Sequence, residues 1–153
     1  MIKLRAEEVR ELIALARARG ERLDLRGRDL SDLGLYKADL NGADLRDADL
    51  TSINLAGADL ESADLSGANL MQAEASKAHL GKASLRRANL TRASFVQADL
   101  HDADLREAIL VGANFRHADL SGADLQGARF DKYTRWSVDF EPKAAGAILV
   151  MVS

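Results

Sequence analysis

The feature that most constrains this chain is a five-residue repeat running from Leu25 to Phe130. A large apolar residue stands at every fifth position, and the twenty-two positions hold eighteen Leu, three Phe and one Ala, Ala75. Two residues earlier, from Ala38 to Ala128, nineteen positions hold eighteen Ala and Ile53. Between these two apolar positions stand eleven Asp, four Asn and seven other residues. The unit is therefore Ala-(Asp/Asn)-Leu followed by two variable residues.

A period of five matches neither an amphipathic helix, which repeats near 3.6, nor a strand, which repeats at 2. Within one unit Ala and Leu are two residues apart, so they point to the same side as in a strand, with Asp or Asn opposite. The two variable residues must turn the chain, because otherwise the next Leu would point outwards. Seven of the second turn positions are Gly, which suits tight turns. Short extended pieces joined by regular corners predict a β-solenoid.

Two clean units, Ala-Asp-Leu-Asn-Gly at 38–42 and Ala-Asp-Leu-Gln-Gly at 123–127, resemble the repeats of pentapeptide-repeat proteins. The resemblance implies an all-β solenoid, a right-handed quadrilateral β-helix with four units per coil and about five coils here. The chain then divides into an N-terminal capping helix at 1–20, the β-helix at 21–130 and a C-terminal cap at 131–153.

The N-terminal segment from Arg5 to Arg19 has the pattern of an amphipathic helix. Val9, Leu12 and Ile13 fall at helical spacing on one face, and Gly20 is a suitable C-terminal stop. The first coil of a solenoid exposes its apolar interior, so terminal caps are needed. We interpret the helix as a cap; the alternative is a partner-binding or dimerising helix.

The C-terminal segment leaves the repeat after Phe130. Trp136 and Phe140 are expected to cover the open end of the last coil, and Pro142 forbids a regular continuation. The tail at 144–152 is apolar and almost uncharged. It is interpreted as a cap that packs back with a short strand. The alternative is a self-association edge, and with it a homodimer through the terminal caps.

One core column is irregular if four units make a coil. Leu35, Leu55, Ala75, Phe95 and Phe115 then stack in one column, where Ala75 leaves a space the size of a Leu side chain. An unfilled space of this size costs on the order of 2–5 kcal/mol. We therefore expect Phe95, in the adjacent coil, to lean into that space.

Charge is banded along the repeat. Residues 21–64 carry eleven acidic and five basic residues, and residues 99–127 carry six acidic and two basic residues. Residues 65–98 carry a single acid, Glu74, and five basic residues. We call these five the basic belt: Lys77, Lys82, Arg86, Arg87 and Arg92. The belt is either an ordinary solvated surface or a docking surface for a partner.

Catalytic and metal-binding patterns are weak in this sequence. The chain has no Cys, which removes thiolate chemistry and Cys-based zinc sites. His79 and His101 fall on one side, one coil apart, near Asp99 and Asp102, but exposed His among Asp is common and is not by itself a metal site. We expect no enzyme activity, no cofactor and no stoichiometric metal.

The sequence favours a non-catalytic protein-interaction rod whose protein partner is unidentified. The alternative, implied by some members of the family, is a DNA mimic that binds DNA gyrase; the basic belt and the lack of an inserted loop depart from that subgroup. A net charge of −3 is too mild to indicate direct nucleic-acid or membrane binding. The charged start does not match a secretory signal and no stretch is long and apolar enough to span a membrane, so a cytoplasmic location is expected.

Overall fold

The repeat winds into coils of twenty residues. The computed structural model describes residues 2–151, and parallel bridges join residues twenty apart, such as Asp39 to Asp59 and Asp59 to His79. In each such pair backbone hydrogen bonds of 2.7–3.1 Å link neighbouring coils, since Leu40 N–H donates to Asp59 O and Asp59 N–H donates to Ala38 O. The predicted β-helix with an N-terminal helix is confirmed. The handedness and the number of coils stay predictions.

The Ala and Leu columns fill the interior. Every residue of the two columns from Ala38 to Leu120 is at most 6% exposed, including Ala75 and Phe95. These side chains form one continuous core along the repeat. Because each side of a coil is only a few residues long, most sides contribute a single bridging residue and no longer strand.

The corners have one conformation throughout. All twenty-one second turn positions from 27 to 127 have a positive φ between 55° and 75°, although fourteen of them are not Gly. A residue with a side chain is less stable in this left-handed conformation, by about 1–2 kcal/mol. Each of the fifteen outward Asp and Asn side chains ties its corner, because it accepts the N–H two residues later at 2.9–3.3 Å. Nine of these fifteen corners are not Gly, and there the hydrogen bond offsets the cost. The polar position of the repeat therefore supports the corner.

The helix α1, Ala6–Arg19, lies over the first coil, beginning one residue later than predicted. It ends at Gly20, which has a left-handed conformation and donates its N–H to Arg17 O at 3.1 Å. Val9 is wholly buried, and Leu12 and Ile13 pack against the core. The segment before α1 joins the coil as well, because Lys3 bridges Asp29.

The C-terminal tail returns to the last coil as a strand. β1, Arg129–Phe130, pairs in parallel with β2, Ile148–Leu149. Ile148 N–H donates to Ala128 O at 2.7 Å, and Ala147 is 6% exposed. The outward side chains of β2 stay exposed, with Ile148 at 53% and Leu149 at 49%. Whether this edge also self-associates stays a prediction.

Aromatic residues close the irregular core column. The ring centroids of Phe95 and Phe115 are 5.4 Å apart, and those of Phe115 and Trp136 are 5.2 Å apart, both pairs nearly parallel. Phe140 lies 5.2 Å from Trp136, farther from the repeat. Trp136 and Phe140 thus continue the column beyond the last regular coil.

Candidate protein-interaction surface

The twenty-residue register sorts the outward side chains onto four faces. We name two of them by their residues. The ladder face carries the outward residues 24, 44, 64, 84, 104 and 124 with the first turn residues 26, 46, 66, 86, 106 and 126. The histidine face carries the outward residues 39, 59, 79, 99 and 119 with the first turn residues 41, 61, 81, 101 and 121. Each charged residue can therefore be assigned to one face of the rod from its position in the repeat.

The structure distributes the basic belt around one turn of the rod. Lys77, Lys82, Arg87 and Arg92 occupy four successive second turn positions, so each stands at a different corner of one coil. All four residues are exposed. Arg86 stands beside Arg87 at the same corner and is partly buried. A flat partner can therefore meet at most two corners, and the face between Lys82 and the Arg86–Arg87 corner is the most basic.

Part of the belt is engaged within the chain. Arg87 Nε donates to Glu107 Oε2 at 2.9 Å, and Arg86 Nη2 lies 4.0 Å from the other oxygen of Glu107. Hydrogen bonding from Arg87 holds the pKa of Glu107 below its usual value. Within residues 2–151, Lys77, Lys82 and Arg92 form no ion pair with an acidic side chain. Three of the four corner charges remain available to a partner.

The ladder face carries regular Asp–Arg pairs. Arg46 Nε donates to Asp44 Oδ1 at 2.9 Å and Nη2 donates to Oδ2 at 2.7 Å, which is a bidentate pair within one unit. The same two bonds join Arg26 to Asp24 and Arg106 to Asp104. Each of the three Arg residues also lies 3.6–3.8 Å from the Asp of the following coil. The carboxylates of this face are thus largely neutralised.

The pKa values on the ladder face follow from this pairing. Hydrogen bonds from Arg26, Arg46 and Arg106 hold the pKa values of Asp24, Asp44 and Asp104 below the usual range. The same bonds raise the pKa values of the three arginines. Both partners therefore stay charged at every ordinary pH.

The ladder is interrupted at the level of the belt. Ser84 replaces Asp, Ser66 replaces Arg, and their hydroxyl groups lie 2.8 Å apart in a hydrogen bond. Arg86 therefore lacks the carboxylate that the other Arg residues of the column hold. Its Nε atom is shielded from solvent and has no acceptor among the described residues.

The histidine face is the acidic side of the rod. Its outward and first turn positions hold five acidic residues and no Lys or Arg; the acids are Asp39, Asp59, Glu61, Asp99 and Asp119. His101 Nδ1 lies 2.7 Å from Asp99 Oδ1, and this hydrogen bond raises the pKa of His101. The His101 ring lies over Gly81, where a Cβ would collide with it. His101 is thus held by Asp99 and by packing.

In the sequence, His79 and His101 are a weak candidate for a metal site. Residues 2–151 contain no group of three or more His, Cys, Asp or Glu side chains arranged to hold a metal ion. Within the same range no helix has the length and apolar character needed to cross a bilayer.

The Asp–Arg ladder is the feature that reasoning from the sequence missed. The signal was present as Arg at 26, 46, 86 and 106, each following Leu at multiples of twenty residues. In three of these places Asp stands two residues before Arg, and only at 84 does Ser replace it. The pairing itself depends on the corner conformation, because the corner turns the Arg side chain back onto its own unit.

Comparison with known proteins identifies the family. The model of the pentapeptide repeats matches in eight copies, over residues 38–74, 68–106 and 98–132. These segments cover more than half of the chain, which therefore belongs to the pentapeptide-repeat proteins. No curated protein matches the chain.

Solved structures of the same fold are similar along most of the chain. Rfr23, a pentapeptide repeat protein from the cyanobacterium Cyanothece 51142, is 26% identical with a TM-score of 0.73, over 80% of this chain and 96% of that one. HetL, involved in heterocyst differentiation regulation in Nostoc sp. strain PCC 7120, is 32% identical with a TM-score of 0.65, over 84% and 66%. QnrB1, a plasmid-mediated fluoroquinolone resistance protein, is 18% identical with a TM-score of 0.51, over 86% and 83%, and this likeness concerns the fold alone.

Proposed function

We propose that this chain is a non-catalytic interaction rod that docks a protein partner on its basic belt. The observation that carries the proposal is the run of four basic second turn residues, Lys77, Lys82, Arg87 and Arg92, around a single coil. No other coil between 27 and 127 has consecutive basic residues at these corners. Exposed charges on a stiff frame are well placed to steer and orient a partner.

The rigidity of the frame supports the same role. One core runs through the repeat and every outward Asp or Asn ties its own corner. The four belt corners share the left-handed conformation of the other corners, so the backbone holds the belt residues at fixed spacings, which lowers the ordering cost of binding. We propose a protein ligand in a cytoplasmic setting, with neither nucleic acid nor membrane as the direct target.

The proposal is tested by capture of partners from the native lysate with matched variants. In the belt variant, the five basic residues are replaced by Gln. The control variant removes five exposed basic residues elsewhere and so has the same net charge: Lys37, Arg116, Lys132, Arg135 and Lys143. We expect a partner that wild type and control retain and that the belt variant loses. Equal retention by all three proteins contradicts the docking role of the belt.

A second candidate, a DNA mimic that inhibits DNA gyrase, is favoured by the acidic histidine face. The belt and the paired ladder face argue against it, because a mimic needs unpaired acidic charge along the rod. In that role the belt would be repelled by a basic DNA-binding groove, so the belt variant should inhibit supercoiling more strongly than wild type. We expect no inhibition by wild type; inhibition at low micromolar concentration would replace the scaffold role.

A further inference from the structure

The interruption of the Asp–Arg ladder leaves a defined set of donors on the ladder face at the level of the basic belt. At the intact positions, the Arg backbone N–H and Nε both donate to Oδ1 of the Asp two residues earlier, and Nη2 donates to Oδ2. At Arg86 the residue two positions earlier is Ser84, whose hydroxyl is engaged with Ser66. Arg86 therefore retains the donors of a carboxylate-binding unit without its carboxylate.

Two donors of Arg86 are without an acceptor among residues 2–151. Nε is shielded from solvent and makes no hydrogen bond. The backbone N–H also has no acceptor, whereas the equivalent N–H of Arg46 or Arg106 reaches an Asp. A shielded donor that is left without a partner is costly, on the order of 1–3 kcal/mol. An acceptor supplied from outside the chain would remove this cost.

We propose that Arg86 is a binding site for the carboxylate of an Asp or Glu side chain from a partner polypeptide. The carboxylate takes the place that Asp occupies at 44 and 104, held by Arg86 Nε and Nη2 in the bidentate geometry that suits this pair. This inference rests on the proposed interaction role for the source of the carboxylate. Arg86 is then one anchoring contact within the belt, and the segment of the partner that docks there is acidic.

The charges around Arg86 fit an acidic segment. Lys82 and Arg87 stand at the two corners that bound this face at the same coil. The acids around it are already engaged: Asp64 Oδ1 accepts the hydroxyl of Ser66 at 2.6 Å, and Asp104 is held by Arg106. Glu107, whose Oε1 lies 4.0 Å from Arg86 Nη2, accepts a hydrogen bond from Arg87 at 2.9 Å. The incoming carboxylate thus meets two cations that donate no hydrogen bond to an acidic side chain, Arg86 and Lys82, and three carboxylates that are occupied.

Access to Arg86 is open from the solvent side. The Arg86 side chain is 43% exposed even though its Nε is shielded. Its Nη2 is 4.0 Å from Glu107 Oε1, which is too long for a hydrogen bond, and the hydrogen bond that Glu107 accepts comes from Arg87. A rotation into the orientation of Arg46 and Arg106 presents both Nε and Nη2 to the ligand.

The test follows the Nε–H signal of Arg86 by nitrogen-15 NMR in the full chain. The probes are a blocked Glu-rich peptide, the matching Gln-rich peptide and sodium acetate, all at constant ionic strength. We expect a saturating shift of the Arg86 signal with the Glu-rich peptide alone. Saturation by acetate at the same carboxylate concentration would assign the site to small free carboxylates and overturn the polypeptide source. A shift confined to the Lys82 and Arg87 signals would overturn the site.

Three variants sharpen the test. Ser84→Asp supplies the missing carboxylate from within, so the peptide should bind at least tenfold more weakly. Ser94→Asp makes the same charge change at the same repeat position on the next face, beside Val96 instead of Arg, and should bind within twofold of wild type. Arg86→Gln should also lose the binding. Equal weakening by Ser84→Asp and Ser94→Asp would show a general charge effect and overturn the site. The proposed function is tested separately, because it stands if the belt variant alone loses the partner from the lysate.

Discussion

The two ends of the rod are closed in different ways. At the N-terminal end, α1 lays aliphatic side chains over the first coil, and Val9 is wholly buried. At the C-terminal end, Trp136 continues the stack of Phe95 and Phe115, and Phe140 packs beyond it. The first closure is a separate element placed on the core. The second prolongs the core column itself.

The anchoring also differs between the ends. Exposed polar contacts assist α1, such as the ion pair of Arg17 with Asp39. The C-terminal turn is instead fixed by Asp131, which is 3% exposed and accepts the N–H groups of Gly112, Tyr133 and Thr134. The contrast indicates that the stability of the C-terminal end depends on a few buried groups. The N-terminal end depends on apolar contact spread along a helix.

The largest expected effect is at the start of the aromatic column. Phe95→Ala should destabilise by about 5 kcal/mol or more, since the space beside Ala75 is added to the usual cavity and the stack on Phe115 is lost. Ala75→Leu alone should cost about 1–3 kcal/mol by overpacking. The free energy of unfolding in urea measures both.

The double variant tests whether the two residues share a space. Ala75→Leu with Phe95→Leu should recover much of the loss, though not the stacking on Phe115, worth about 0.5–1.5 kcal/mol. Simple addition of the two single effects would show that Phe95 does not fill the space beside Ala75.

The next effect concerns the buried anchor of the C-terminal end. Asp131→Ala removes the acceptor of the Gly112 and Tyr133 N–H groups and one of two acceptors of the Thr134 N–H, and it should cost about 3 kcal/mol. Thermal unfolding measures the change. The matched variant Asp119→Ala removes an exposed carboxylate that serves a corner and should cost clearly less; equal costs would contradict the special role of Asp131.

The same anchor predicts a pH dependence. Burial raises the pKa of Asp131, but hydrogen bonds from the N–H groups of Gly112, Tyr133 and Thr134 and from the Thr134 hydroxyl together lower it by more. The folded pKa therefore lies below its ordinary value of 3.8. Its contribution to stability is therefore complete above that value and is lost as the pH falls through the folded pKa. Asp131→Asn should unfold with a weaker pH dependence in acid, and an unchanged acid profile would contradict this assignment.

A smaller effect is expected at the N-terminal end. Val9→Ala removes two buried methyl groups and should cost about 2 kcal/mol, because transfer and cavity terms both contribute. Amide hydrogen exchange should show the loss concentrated in α1 and the first coil. Leu15→Ala, at a residue of the same helix that is 45% exposed, is the control and should change stability much less.

The smallest effect is expected on the exposed side of β2. Ile148→Lys should change stability by less than about 1 kcal/mol, since this side chain is 53% exposed and β2 is held by backbone hydrogen bonds. Sedimentation velocity on both proteins examines the self-association alternative. Equal sedimentation supports a capping role for the tail, and a lower mass for the variant supports the association edge.

The sequence by itself determined the five-residue unit, the core and the helix. The unbroken alternation of Ala, Asp or Asn, and Leu specifies which side chains point inwards, because a slip of one residue would turn every Leu towards water. The pattern at 5–19 likewise specified α1 to within one residue. Trp136 could be assigned to the open end because an exposed apolar core requires a cover.

The tertiary structure alone decided which outward residues meet. The belt residues lie within one stretch of the sequence, yet the coil places them at four different corners. The same coil brings Arg86 and the outward residues 64 and 104, which are far apart in sequence, to one face. The burial of Asp131 follows from the way the chain leaves the last coil over Gly112. The local pattern of each unit determines which side chains point inwards. Contacts between surface charges depend instead on the twenty-residue register and the corner conformation, because both arise only when the coils stack.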